Sequence, residues 1–252
     1  MRALAFVIVL AGSDPGGDLG SAIERADLKA VTAMLDAGLS ADTPIGEGEG
    51  RHSPLQRAAW NGATAIGKLL IERGAEVNAK SSLYGAALHA AANRGWDDFV
   101  AMLVAAGATV DLRDERANRA LFSAVSAGNR DMTALLLKAG AKLEESEPGY
   151  TPLMYAANND DVEMIRLLVK SGARVNAAAK GEYGGFNPLL IAVERGRVEA
   201  VKVLIELKAD LNVRSSEGET ALQLAKKAGN DEIVTVLKAA GANDTKRTAA
   251  RP

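Results

Sequence analysis

Apolar residues along this chain fall into short helical stripes, two to a unit, and the units recur. Val162, Ile165, Leu168 and Val169 follow a helical period, and Met164 and Leu167 widen the stripe to a second side. A helix that is apolar on more than one side suits an element packed between two neighbours. A shorter apolar stretch precedes it, with Leu153, Ala156 and Ala157 behind Thr151 and Pro152. Thr151 is a good N-cap, and Pro152 at the first helical position gives up no needed N–H. Asn158-Asn159-Asp160-Asp161 divides the stripes with residues that favour turns and caps. Gly172 is placed to close the second helix. The pattern therefore predicts a helix, a turn, a second helix from about Val162 to Ser171 and an exit through Ala173-Arg174-Val175-Asn176.

The same grammar repeats. The phrase Thr151-Pro152-Leu153-Met154-Tyr155-Ala156-Ala157 has weaker copies beginning at Ser53, Ala86, Arg119, Asn187 and Thr220. Its leucines, Leu55, Leu88, Leu121, Leu153, Leu189 and Leu222, are separated by 33, 33, 32, 36 and 33 residues. First helices are followed by Asn61-Gly62, Arg94-Gly95, Gly128-Asn129, Arg195-Gly196 and Gly229-Asn230, and second helices end at Gly74, Gly107, Gly140 and Gly241. A fixed period of this length means an array in which each repeat buries its apolar face on the next. A degenerate copy stands first, with Leu19 to Arg25 as its first helix and Asp27 to Gly38 carrying its second. The final copy carries Lys226, Lys227, Thr235 and Lys238, which suit an end open to water. Two surpluses of three residues fall in the turns, within 45–50 and 178–185, where insertions cost little stability. The first reads as drift in a Gly/Glu-rich loop; the second displays Tyr183 and Phe186.

The Thr-Pro-Leu-x-x-Ala-Ala starts, the mid-repeat glycines and the Gly-Ala-x-Val-Asn ends resemble the ankyrin-repeat family over roughly residues 18–243. The resemblance implies an all-α ankyrin-repeat solenoid of stacked helix-turn-helix units with hairpin-like turns between repeats. The expected domain covers 14–243, with repeats at roughly 18–50, 51–83, 84–116, 117–148, 149–184, 185–217 and 218–243. It also implies a concave face made of turns and first helices. His89 follows Leu88 where the family commonly has a histidine that bonds neighbouring turns, so a structural role is implied for it.

Composition narrows the chemistry. The formal net charge is -2, and no basic block offers nucleic acid a foothold. Cysteine is absent, which removes disulfides, thiol chemistry and thiolate metal sites. The two histidines, His52 and His89, stand apart from any metal or nucleophile motif, and His52 is expected to be solvated in its Gly-rich turn. The glutamates among Gly46, Gly48 and Gly50 would repel a phosphate, and no Lys-Ser/Thr follows. No catalytic, cofactor-binding or metal residue is expected, and the chain reads as a non-enzyme. At the start, Arg2 and the apolar run Ala3 to Ala11 before Gly12-Ser13 match the layout of a secretory signal peptide. Residues 1–13 are expected to be a leader that takes the chain to the bacterial periplasm or outside the cell. The other reading is an apolar lead-in to the first repeat in a cytoplasmic protein. Residues 244–252 read as a polar tail.

With only ten aromatic residues, their placement carries information. The family layout puts Tyr84, Tyr150, Tyr183 and Phe186 in the inter-repeat turns, Trp60 at the exposed end of a first helix and Tyr155 on a first helix. Polar partners at matching helix ends are Asn61, Asn93, Arg94, Asn158 and Arg195, joined in the turns by Arg116 and Asn118. Tyr and Trp bury large area at low entropy cost, so this set is the expected partner-binding surface, with Tyr150, Tyr155, Tyr183 and Phe186 at its centre. The competing reading is that these aromatics shield hydrogen bonds between repeats. The expected function is a non-catalytic, monomeric scaffold that binds another protein, with no nucleic acid and no membrane span. An immunity or inhibitor protein for a toxin or enzyme is one alternative. An accessory or protective factor for an exported enzyme is the other.

Overall fold

Side chains that accept hydrogen bonds stand just before the apolar stripes, and helices start there. Ser53, Thr151 and Thr220 accept from the amides of Gln56, Met154 and Gln223, while Asp27, Asn129, Asp161 and Asn230 cap second helices in the same way. The computed structural model describes residues 14–81, 85–113, 119–143, 150–179 and 185–243. The expected leader, the tail and Tyr84, Arg116, Asn118 and Tyr183 lie outside the described residues.

The chain divides into two compact units, Met1–Ala141 and Lys142–Pro252. The first holds α1 (Pro15–Glu24), α2 (Leu28–Asp36), α3 (Pro54–Asn61), α4 (Thr64–Glu72), α5 (Ala87–Arg94), α6 (Asp97–Ala105), α7 (Ala120–Ser126) and α8 (Arg130–Lys138). The second holds α9 (Pro152–Asn158), α10 (Val162–Lys170), α11 (Pro188–Glu194), α12 (Val198–Glu206), α13 (Ala221–Lys227) and α14 (Asp231–Ala239). In the first unit α1, α3, α5 and α7 pack one on the next, as do α2, α4, α6 and α8; in the second, α9, α11 and α13 do so, as do α10, α12 and α14. This is an all-α repeat fold, with no strand among the described residues.

Leucines of the recurring phrase are the core: Leu55, Leu88, Leu121, Leu153, Leu189 and Leu222 are all buried. Each contributes about 1.5–3 kcal/mol relative to an exposed side chain. Between repeats the exits form a ladder of side chain to backbone bonds. Asp42 Oδ1 accepts from the Glu76 amide at 3.0 Å, Asn78 Oδ1 from Thr109 at 2.8 Å and Asn176 Oδ1 from Asp210 at 2.9 Å. The turns are hairpin-like, with antiparallel bridges Ile45–His52, Ser81–Gly85 and Arg214–Thr220.

Two expectations need correction. Helix α1 starts at Pro15 behind an Asp14 cap, not at Leu19. Gly16 and Gly20 of this helix pack close against the next turn: a Cβ on Gly16 would run into the Pro44 carbonyl oxygen, and one on Gly20 would lie 2.8 Å from Ile45 Cγ2. His52 is buried, not solvated. The Ile45–His52 bridge folds the Gly-rich loop back on itself and turns the imidazole inward.

Candidate functional site

Gln56 and His89 occupy the same place in successive repeats, one residue after the phrase leucine, and both bridge to turns. Gln56 Oε1 accepts from the Ser53 amide at 2.7 Å, and Nε2 donates to the carbonyls of Ala79 and Gly85. His89 Nδ1 accepts from the Ala86 amide at 3.2 Å, and Nε2–H donates to the Leu112 carbonyl at 2.8 Å, which fixes the tautomer. The implied structural role of His89 is what the geometry shows. The equivalent role of Gln56 was missed, because a glutamine carries no family signature by itself.

His52 holds the opposite tautomer. Its Nδ1–H donates to the Gly50 carbonyl at 2.7 Å, so Nε2 is left to accept from Arg57 Nε at 2.8 Å. Arg57 Nη1 then reaches Glu24 Oε1 at 2.8 Å. Burial holds the imidazole below its usual titration range; the Gly50 bond opposes this, the Arg57 charge adds to it and Glu24 again opposes it. His52, Gln56, Arg57, Trp60 and Ala90 line a cavity of about 90 Å³ between α3 and α5.

Trp60 closes one wall of that cavity and is 36 % exposed. The Arg94 guanidinium lies over its ring at 4.9 Å, and Arg94 Nε donates to the Trp60 carbonyl at 3.3 Å. Trp96 joins them. It stands at the N-cap of α6, is 40 % exposed, and donates from Nε1 to the same Trp60 carbonyl at 3.4 Å. Its ring lies flat on Gly62, where a Cβ would meet Trp96 Cε2 at 2.7 Å. Among the described residues the exposed large hydrophobics are Leu28, Trp60 and Trp96. The only two tryptophans of the chain are therefore side by side and open to solvent. Asn61 and Asn93 are exposed at the same ends of α3 and α5. Trp60, Asn61, Asn93 and Arg94 belong to the surface expected from the sequence, and Trp96, at the start of a second helix, does not. The available signal was that Trp96 takes a place where four of seven repeats have an Asp or Asn cap.

The second unit gathers Tyr150, Tyr155 and Phe186 differently. Tyr150 and Phe186 are half-buried against Met154, Ala179 and Ile191. Tyr150 meets Tyr155 edge to face, with centroids 6.5 Å apart. Asn158 ends α9, and Arg195 is the exposed C-cap of α11. Tyr150 and Phe186 thus cover a small apolar cluster, and Tyr155 reaches it through the ring of Tyr150. Among the described residues no group of three or more His, Asp or Glu could hold a metal ion, and no helix is long and apolar enough to cross a membrane.

Comparison with known proteins fits the repeat geometry. Residues 83–147, 142–215 and 178–249 match the family model for ankyrin repeats in three copies, and residues 51–82 match the model for a single ankyrin repeat. Similar solved structures include an ankyrin repeat domain from Acinetobacter baumannii AYE. It is 28% identical, with 75% of this chain and 98% of that one covered and a TM-score of 0.71. The ankyrin repeat domain of Bcl-3, a member of the IkappaB protein family, is 25% identical, covering 90% of this chain and 99% of its own at a TM-score of 0.77. The human ASB11 ankyrin repeat domain is also 25% identical, covering 90% and 99% at a TM-score of 0.73. No curated protein matches the chain.

Proposed function

Because the chain belongs to the ankyrin-repeat family, whose repeats are in general protein-interaction modules, we propose that it is a non-catalytic binding protein holding a partner protein on the face that carries Trp60, Arg94 and Trp96. The observation that supports this most is the pair of adjoining exposed tryptophans. Exposed tryptophan beside arginine is the composition of interface hot spots. The expected central cluster of Tyr150, Tyr155, Tyr183 and Phe186 takes second place, since the rings of Tyr150 and Phe186 already pack on apolar neighbours.

A comparison between the two units separates binding from structure at Trp96. Arg197 stands at the matching place before α12, and its Nε donates to the Asn158 carbonyl at 2.8 Å, as Trp96 Nε1 does to Trp60. The hydrogen bond thus does not require an indole, and the exposed ring is surplus to it. Trp96→Arg transplants the second unit's solution into the first. Affinity capture with wild-type protein and with Trp96→Arg is the test, with the far-UV circular dichroism of both compared. The expected result is unchanged helicity and loss of the captured partner by about tenfold or more, the scale of a hot-spot residue. Full retention of every captured protein by Trp96→Arg and by Trp60→Ser would overturn the reading.

The proposal extends to export. Helix α1 begins at the Asp14 cap, so removal of residues 1–13 would leave every described helix entire. Periplasmic fractionation of the full chain against one lacking residues 2–13 tests it; identical location of the two would refute it.

A further inference from the structure

The cavity beside Trp60 has a specific unmet chemistry. Its polar lining is His52, Gln56 and Arg57. Gln56 spends both Nε2 hydrogens on the carbonyls of Ala79 and Gly85. His52 spends its one N–H on Gly50 and its lone pair on Arg57. Arg57 has five N–H groups. One goes to His52 Nε2 and one to Glu24 Oε1, and among the described residues Nη2 is not engaged. The cavity therefore offers donors on a cation and asks for an acceptor. His52 sets the angle of that cation: the tautomer fixed by Gly50 holds Nε2 toward Arg57 Nε, so the guanidinium plane is oriented before any ligand arrives. Trp60 and Ala90 supply the apolar walls, and Arg94, stacked on Trp60, adds a second positive charge beside it. Among the described residues Arg57 pairs with one carboxylate, Glu24, whose side chain is half exposed.

Building on the binding reading above, we propose that this cavity takes the acidic side chain, aspartate or glutamate, of a segment of the partner protein, with Arg57 pairing its carboxylate and Trp60 covering its methylene stem. A planar guanidinium matches a carboxylate with two parallel N–H bonds, which a carbonyl or hydroxyl cannot use fully. A cavity of about 90 Å³ suits a short side chain and not a cofactor. The guanidinium of Arg57 in the lining and that of Arg94 over Trp60 favour an anionic occupant over a neutral one.

The experiment uses the intact protein and two small probes of the same shape, butyrate and butyramide. The chain has only two tryptophans, so its indole N–H spectrum contains two signals, assigned with Trp60→Phe and Trp96→Phe. Butyrate is expected to give a saturable shift of the Trp60 signal in the millimolar range, with butyramide at least fivefold weaker. Arg57→Gln is expected to weaken butyrate binding at least fivefold. Since that change also removes the His52 and Glu24 contacts, Glu24→Gln is the second variant. It clears the competing carboxylate from an exposed position and is expected to tighten butyrate binding about threefold, within the range of exposed charge pairs. Damage to the fold would not produce such a gain. Equal response to butyrate and butyramide, no saturable shift, or unchanged or weaker butyrate binding in Glu24→Gln would each overturn the proposal. A captured partner lost by Trp96→Arg but indifferent to Arg57→Gln would leave the binding face standing and remove the acidic anchor.

Discussion

Among the described residues, three other than glycine sit in the left-handed region: Ala26 at φ 53°, Asp160 at φ 60° and Lys208 at φ 67°. Ala26 and Asp160 hold the place between the two helices of a repeat, and Lys208 holds the place after a second helix; glycine takes these places in the other repeats. A left-handed conformation costs an ordinary L-residue about 1–2 kcal/mol. Glycine removes that cost but gives up about 0.5–1 kcal/mol to the freedom of the unfolded chain. The difference predicts that Lys208→Gly and Ala26→Gly each stabilise by about 0.5–1 kcal/mol. Both side chains are exposed, so little packing is lost. Asp160 predicts the opposite sign. Its Oδ1 accepts from the Ala200 amide at 2.7 Å, in the first turn of α12, whose own N-cap Arg197 makes no side-chain cap bond. Asp160 is therefore the cap of a helix in the next repeat. Losing a cap costs about 0.5–2 kcal/mol. Aspartate tolerates the left-handed region better than most residues, so little strain is relieved in return. Asp160→Gly should destabilise by about 1 kcal/mol, and Asp160→Asn, which keeps an acceptor, by less than about 0.5 kcal/mol. Urea unfolding followed by circular dichroism reads all four variants. At this size 1 kcal/mol moves the melting midpoint by about 2–4 °C, which a thermal scan resolves. A lower midpoint for Lys208→Gly, or an unchanged one for Asp160→Gly, would refute the reasoning.

Acid should loosen the first unit through His52. Its folded pKa is depressed, so the stability it contributes is fully present above the unfolded value of about 6.5 and is lost as pH falls through the lower folded value. Stability measured between pH 7 and 5 should fall more steeply for wild type than for His52→Gln, which keeps a neutral donor and acceptor; equal slopes would contradict this. Gly67→Ala places a Cβ 2.5 Å from Phe99 Cζ and 2.9 Å from Met102 Cε. Overpacking of about 1–3 kcal/mol should outweigh the helix-propensity gain of about 1 kcal/mol. Phe99→Leu in that background should recover part of the loss, as a coupling of about 1 kcal/mol in a double-mutant cycle.

Most of the fold could be read from local signals. Thr151-Pro152 announces a helix start through capping and a fixed φ, and the structure begins α9 there. Gly172, at φ 103°, ends α10 as its place after Val169 and Lys170 implies. Such features depend on a few neighbouring residues. The failures depend on distant ones. Asp14-Pro15-Gly16-Gly17 reads as a turn in isolation, and only contact with Pro44 and Ile45 makes small residues the right ones for α1. His52 reads as solvated because nothing local says that Ile45 pairs with it across the loop. The candidate site was half legible for the same reason. Trp60 could be placed from repeat position, but its contact with Trp96 joins residues 36 apart.

A repeat array gives each position several independent copies, and this turns irregularity into evidence. At the start of second helices, Asp27, Asn129, Asp161 and Asn230 all cap with a side-chain oxygen, each contributing about 1 kcal/mol. Ala63, Trp96 and Arg197 do not. Arg197 loses nothing by this, because Asp160 of the preceding repeat reaches across to the Ala200 amide. Trp96 has Asp97 and Asp98 in the first turn of α6, which favour the helix N-terminus electrostatically without a cap bond. So the stability given up at Trp96 is partly offset in place, while its ring stays 40 % exposed over Gly62. Local rules in folded proteins are broken mainly where function asks for it. Tyr150 and Phe186, by contrast, break no rule: each adds apolar cover to Met154, Ala179 and Ile191. The difference in what each aromatic gives up, more than the number of aromatics on a face, ranks the tryptophan pair above the tyrosine cluster as the proposed binding place.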